Sequence, residues 1–222
     1  MNVLIVAATG MELAPFRKAI AESGRPMYKH LSVSLLTTGV GMLSTGICLT
    51  RQLQKMTPDL MIQAGIGGSF LNNVVLGDVY TISSEAIADL GVRENGNWND
   101  IFDLKLAGAD DAPFTGGLLE GADKKFSALA GFKAVPGITV NEITTKAERI
   151  AELQAKYNPA IESMEGAAFH WVGIDSKIPF VQIRAVSNYV GERNKGKWMM
   201  KEAISNLNMG LHNLLTTIND SL

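Results

Sequence analysis

The sequence predicts an α/β protein: one domain over residues 1–222, built as a three-layer α/β/α sandwich with a central mixed β-sheet. Three observations carry that prediction. Several short runs are apolar on both faces, which suits strands covered by helices on each side. Segments with apolar residues every three or four positions separate them, as amphipathic helices would. Glycine or polar residues gather where the strand-like runs end, at positions 9–12, 39–41, 65–68 and 187–188.

Residues 2–8 form a run rich in β-branched residues. Thr9-Gly10 and a helix over 12–22 follow, so the first unit is a strand entering a helix through a tight turn. Residues 30–37 alternate as a second strand, closed by the turn Thr38-Gly39-Val40-Gly41. Helical spacing over 43–56 stops before Pro58. A buried strand over 60–63 runs into Ala64-Gly65-Ile66-Gly67-Gly68, and further strands are expected at 78–83 and 135–140. A helix is expected at 146–156, and residues 160–163 lead into a glycine-containing helix at 166–176. Residues 179–186 read as an interior strand and 199–218 as the closing helix. The glycine-rich, weakly hydrophobic stretch 89–121 reads as irregular surface loops with a functional or interface role. No internal repeat or domain boundary interrupts this order.

The bulk numbers exclude several function classes. A net charge of −2 offers no basic field for nucleic acid or an anionic membrane surface. No apolar run approaches the roughly 20 residues of a membrane span, and the chain enters its first strand without a charged leader. A soluble, cytoplasmic protein is expected. Cys48, alone and inside an apolar helical run, reads as a packing residue in a reducing compartment. His30, His170 and His212 show no metal-ligand spacing with each other or with Cys48, so each reads as structural and no metal is expected. Gly39-Val40-Gly41 has Ser44 where a dinucleotide fingerprint needs its third glycine, and no Lys-Ser/Thr pair completes a phosphate loop. No Gly-x-Ser-x-Gly elbow marks a serine hydrolase. No cofactor is expected.

What remains is the set of strand ends. In open α/β sheets, ligands bind beyond the carboxyl ends of the strands, so these turns are expected to share a pocket. Glu12 has two readings: an acid favoured by a helix dipole in a first turn, or a general base for water. Glu165, between an apolar run and small helical residues, is expected to face inward, where a carboxylate needs a partner. That partner is a diol such as ribose, or Arg184. The charged stretch 192–197 with Trp198 is either a lid or a solvated start to the last helix.

Taken together, these pieces resemble the purine nucleosidase/phosphorylase family, in its 5′-methylthioadenosine/S-adenosylhomocysteine nucleosidase branch. The matching strings are Ala7-Ala8-Thr9-Gly10-Met11-Glu12, Thr38-Gly39-Val40-Gly41, Gly65-Ile66-Gly67-Gly68, Leu76-Gly77-Asp78-Val79, Glu162-Ser163-Met164-Glu165-Gly166-Ala167-Ala168, and Pro179-Phe180-Val181 to Arg184-Ala185-Val186-Ser187-Asn188. They keep the family's order, and only 89–135 lacks a clear match. The resemblance implies the family's α/β sandwich, a purine nucleoside as small-molecule partner, and a homodimer or higher homo-oligomer.

It also implies roles. Glu12 falls on the water-activating acid, Met164 and Glu165 on the ribose-binding pair, and Asn188 on the position that contacts N7 of the purine. Ile66, Gly67, Val140 and Ser187 fall among substrate-binding positions. Phosphorolysis is disfavoured, because the strand before the glycine turn ends in Gln63-Ala64 and Glu12 would repel an anion. Adenine-directed members carry an acid where this chain has Asn188. An amide offers a donor to O6 and an acceptor to a protonated N7, so it suits a 6-oxopurine. The rivals are an adenine-directed nucleosidase that tolerates Asn188, a phosphorylase, and a nucleoside-binding protein without catalysis. Arg193, Lys195 or Lys197 would meet a carboxylated 5′ extension if their segment folds over the pocket, and otherwise are solvated charges. The family's base-stacking aromatic has no counterpart in residues 141–145.

Overall fold

The computed structural model describes residues 1–24, 27–121 and 123–222. The first strand, β1 (Asn2–Ala7), shows why the sheet is central: Val3, Ile5 and Ala7 enter one core, and Leu4 and Val6 another. Period-two alternation with both phases apolar forces cover on both faces. One cover is α1 (Ala14–Glu22) with the long closing helix α6 (Met200–Asp220). Ala203, Leu207, Leu211, Leu214, Leu215 and Ile218 form the buried stripe of α6 against the first core. The other cover is α2 (Met42–Leu53) packed on α5 (Gly166–Ser176), with Leu49 and Phe169 in the second core.

The remaining strands are β2 (Ser32–Thr37), β3 (Leu60–Ser69), β4 (Val79–Ile87), β8 (Ala134–Thr139), β9 (Ile161–Ser163) and β10 (Phe180–Tyr189), with the short β7 (Leu119–Glu120) on β4. β1 lies parallel to β2 and β3, and β10 runs parallel along β3 from Met61 to Ser69. The opposite edge of β3 serves β1 in its first half, then takes antiparallel β9 at Gly68 and Ser69. Because β10 also pairs β4, β4 pairs β8 and β8 pairs β9, five strands close into a ring from which β1 and β2 extend. The α/β fold and its mixed sheet are as the sequence predicts.

The differences are local. The first helix starts at Ala14, so Glu12 sits in the turn before it. β3, β4 and β10 run three to six residues past their expected ends, because pairing across the ring continues beyond the apolar runs. The stretch 89–121 contains a hairpin, β5 (Gly91–Glu94) with β6 (Asn97–Asp100). Its Trp98 stacks under Arg149 of α4 (Ala147–Tyr157). Helix α3 (Lys124–Ala130), capped by the Asp123 carboxylate, was outside the sequence expectation. Cys48 is partly exposed, so the expectation of a core cysteine gives way to one at the margin of α2. Among the described residues, no helix is long and apolar enough to cross a membrane.

Candidate active site

Parallel pairing brings the carboxyl ends of β1, β3 and β10 to one side, where they open into a cleft of about 250 Å³. Glu12, Ile66, Gly67, Met164, Glu165, Ser187 and Asn188 all line it. Seven of the eight residues singled out in the sequence therefore meet in one place.

Glu12 arrives from the turn after β1 and is buried. Its Oε2 accepts from the Thr9 backbone N–H at 2.8 Å and the Thr9 hydroxyl at 3.0 Å, and its Oε1 accepts from the Ile66 N–H at 3.1 Å. The carboxyl thus turns back toward the strand ends rather than capping α1, so the helix-dipole reading loses its geometry. Asn208, a polar break in the buried stripe of α6, fixes the turn from behind. Its amide donates to the Glu12 carbonyl at 2.8 Å and accepts from Phe16 N–H at 3.1 Å.

Glu165 enters at the turn between β9 and α5, also buried. Its Oε1 accepts from Gly41 N–H at 3.1 Å, across a turn where φ of +94° favours glycine. Its Oε2 faces Arg184 Nη1 at 3.4 Å. The sequence left ribose and Arg184 as competing partners, and the ion pair is present. The two are compatible, since a carboxylate has about four acceptor positions and only two are used here. Arg184 is buried as well; it donates to the Ile66 carbonyl at 3.3 Å and to Gln63 Oε1 at 2.9 Å. The Ile66 backbone therefore joins the two glutamates, with its N–H toward Glu12 and its C=O toward the arginine that holds Glu165.

At the end of β10 the Ser187 hydroxyl donates to Asn188 Oδ1 at 2.8 Å, and Asn188 Nδ2 donates to the Tyr189 carbonyl at 2.9 Å. This fixes which end of the amide is oxygen and leaves one acceptor lone pair and one N–H unused. Val140 departs from expectation: it packs with Phe70, Ile138 and Leu153 and borders a neighbouring pocket, not this cleft. The cause is the backbone after β8, where Val140 N–H pairs with the Ser163 carbonyl and continues the sheet.

Of the three candidate cations, Arg193 lines the cleft beside Trp198, while Lys197 pairs with Glu192 at 2.8 Å. His212 bonds the Tyr28 hydroxyl, and His170 bonds the Leu119 carbonyl. Among the described residues, no group of three or more His, Cys, Asp or Glu is placed to hold a metal. Gln63 and Asn208 escaped the sequence reading. The signal for both was a polar residue at a buried position of a regular element.

Residues 2–218 match the family described as the Phosphorylase superfamily. A futalosine hydrolase of Streptomyces coelicolor is 30% identical over 221 residues, covering 93% of this chain and 92% of that protein. A 5′-methylthioadenosine/S-adenosylhomocysteine nucleosidase of Bacillus licheniformis is 25% identical over 213 residues, covering 88% of this chain and 89% of that one. The native structure of futalosine hydrolase of Helicobacter pylori superposes with a TM-score of 0.79 at 15% identity, covering 100% of this chain and 98% of that one; at that identity the likeness is one of fold.

Proposed function

The chain belongs to the phosphorylase superfamily, and on that premise we propose that it is an N-glycosidase that hydrolyses futalosine, releasing hypoxanthine and dehypoxanthine futalosine for menaquinone biosynthesis. The observation that carries the reading is the cleft itself, with Glu12 and Glu165 linked through the Ile66 backbone and Arg184, and the Asn188 amide oriented at its edge. Cleavage of an N-glycosidic bond builds positive charge on the sugar. Glu165, with acceptor positions to spare, takes the ribose hydroxyls and stabilises that charge. Glu12 orients and deprotonates the attacking water, a step worth about 10²–10⁴-fold. Asn188 accepts from protonated N7 and donates to O6; the proton itself comes from water or another group.

Water rather than phosphate is supported by the fate of Arg184, whose Nη groups are engaged by Gln63, Ile66 and Glu165. Arg193 beside Trp198 suits a carboxylated aromatic 5′ extension. A homo-oligomer and a cytoplasmic location go with this reading. The former is supported by an apolar face on α2 and α5 where Leu43 is 77% and Trp171 39% exposed. The second reading is a methylthioadenosine/S-adenosylhomocysteine nucleosidase, favoured by the similarity to the Bacillus licheniformis enzyme.

The test is base release from futalosine, inosine and methylthioadenosine, with and without phosphate, by the native chain and by Glu12→Gln. Phosphate-independent hypoxanthine release from futalosine, lost in the variant, is expected. Adenine release from methylthioadenosine alone would keep the two glutamates and replace the substrate. Release from none would leave a nucleoside-binding protein.

A further inference from the structure

Behind the cleft, a second polar cluster lies against the turn that carries Glu165. Glu85 of β4, Gln182 and Arg184 of β10, and His170 of α5 are all buried. A Cβ on Gly166, the residue after Glu165, would overlap Glu85 Oε1 and stand 2.6 Å from Gln182 Nε2. One residue further on, the Ala167 N–H donates to the Thr139 hydroxyl at 2.8 Å, and that hydroxyl donates to Glu85 Oε2 at 2.9 Å. Glu85 therefore supports the backbone that aims Glu165, while standing outside the lining of the cleft.

The donors and acceptors of this cluster balance only with one more proton. Gln182 Nε2 donates to Glu85 Oε1 at 2.9 Å, and in that arrangement Gln182 Oε1 and His170 Nε2 are both sealed from water without a partner. The Gln182 side chain lies close enough to the His170 ring to act on it. The Leu119 carbonyl, 2.9 Å from His170 Nδ1, needs a hydrogen on that nitrogen, so in a neutral ring Nε2 is an acceptor. Turning the amide end for end offers His170 Nε2 an N–H and sets the amide oxygen against Glu85 Oε1. A proton on Oε1 completes that contact, since Oε2 is already taken by Thr139. One rotation and one proton thus satisfy both orphaned atoms. The other place for the proton is His170, but burial pushes the imidazole down to about 4 and the carboxyl up to about 7.

We propose that Glu85 is a positioning residue for Glu165: in the active protein it holds one proton, hydrogen-bonds through the turned Gln182 amide to His170, and leaves Arg184 to Glu165 alone. The inference rests on the nucleosidase reading and deepens it. Among the described residues, the charged groups that bear on Glu85 are Arg184 from β10 and Glu165 from the turn before α5, with His170 facing it through Gln182. Thr139 from β8 and Leu119 from β7 bring no charge. When the proton leaves, the amide turns back and the two acceptors lose their donors. A second carboxylate then competes for Arg184 and repels Glu165. Both effects fall on the residues directly after Glu165, and the hold on the ribose weakens.

Glu85→Gln has the shape and the donor of the protonated acid, so it keeps the turned arrangement at every pH. The readout is kcat/KM from about pH 5.5 to about pH 8.5 on whichever of futalosine, inosine and methylthioadenosine is hydrolysed. The native chain is expected to lose about tenfold as pH climbs through the Glu85 titration, the cost of leaving buried acceptors unpaired. The variant is expected to stay within about threefold of the native low-pH value and to lose that alkaline fall. On the native chain, the ring-nitrogen resonances of His170 and the carboxyl-carbon resonance of Glu85 follow the proton directly. A neutral ring with Nδ1–H and a protonated Glu85 are expected at about pH 6, with the carboxyl midpoint matching the fall in kcat/KM. Should the variant not fold, these resonances decide alone. An imidazolium at His170 or an ionised Glu85 at that pH, or a variant that keeps the alkaline fall, overturns the inference. A chain that hydrolyses none of the nucleosides removes the nucleosidase reading and the positioning role with it, and the resonances then tell that failure apart from a misplaced proton.

Discussion

Two polar layers lie on either side of the N-terminus of α5, and they are held in different ways. In the cleft, Glu12 and Glu165 take their donors largely from backbone N–H groups of Thr9, Ile66 and Gly41. Behind them, Glu85 accepts from the side chains of Gln182 and Thr139, each at 2.9 Å, and His170 donates Nδ1–H to the Leu119 carbonyl. Main-chain donors sit on the sheet's ends and leave each carboxylate an open side toward ligand. Side-chain donors close around Glu85 completely. The consequence is electrical: burial pushes Glu85 up to about 7 and His170 down to about 4. The cleft carboxylates keep acceptor positions to spare, as the proposed function requires, whereas Glu85 is enclosed.

Arg184 is the member common to both layers, bonded to Glu165 in front and lowering Glu85 behind. Removing it should give the largest effect. Arg184→Met strands Glu165 and Gln63 in a buried setting, and about 3–5 kcal/mol of stability should be lost, as when one partner of a buried pair is deleted. Denaturant midpoints measure this. A loss below about 1 kcal/mol would mean that the two layers stand independently.

A smaller effect should come from the gap between the front carboxylates. A Cβ on Gly65 would overlap Arg184 Nη1 and come within 3.1 Å of Glu12 Oε1. Gly65→Ala should therefore fold yet displace both groups, and about 100-fold in kcat/KM is the usual penalty for an ångström of misplacement. Unchanged turnover would show that the Ile66 backbone hydrogen bonds, rather than the packing around Gly65, set the positions of the glutamates.

The two layers were unequally legible in the sequence. The front layer was readable because its residues stand at strand ends, where glycines and acids interrupt apolar runs, as in Gly10-Met11-Glu12 and Met164-Glu165-Gly166. The sheet and its covering helices were readable from β1 and α6 for the same reason of period. Val140 closes a run already expected as strand, and its place at the cleft came from the resemblance alone; its side chain packs with Phe70, Ile138 and Leu153. Glu85 and Gln182 sit inside strands, at positions a period-two pattern assigns to core, and only the closing of β4 and β10 into one ring brings them together. Glu162 was quoted in a motif without a role, since the donor to its Oε1 is a backbone N–H eighteen residues away in sequence.

The smallest net effect is expected from pH, because two groups of the rear layer oppose each other. Glu85 rises from 4.5 to about 7 on folding, so the stability from its neutral form is complete below 4.5 and is lost as pH climbs through 7. His170 falls from 6.5 to about 4, so its contribution is complete above 6.5 and is lost as pH drops toward 4. Across the shared window, from pH 4.5 to 6.5, the two slopes cancel and the rear layer's net contribution to the native profile should be nearly flat. Each slope alone is worth at most about 3 kcal/mol over its range. Glu85→Gln keeps the neutral acceptor geometry and leaves His170 unopposed, so stability should fall as the solution is acidified. His170→Asn retains a donor toward Leu119 and leaves Glu85 unopposed, so stability should rise over the same interval. Arg184 bears on both Glu85 and His170 and is kept in both variants, so it shifts each curve without changing which way it slopes. Curves for the two variants that run parallel instead of diverging would show that the rear layer does not exchange protons on folding, and the contrast with the cleft would then be one of geometry alone.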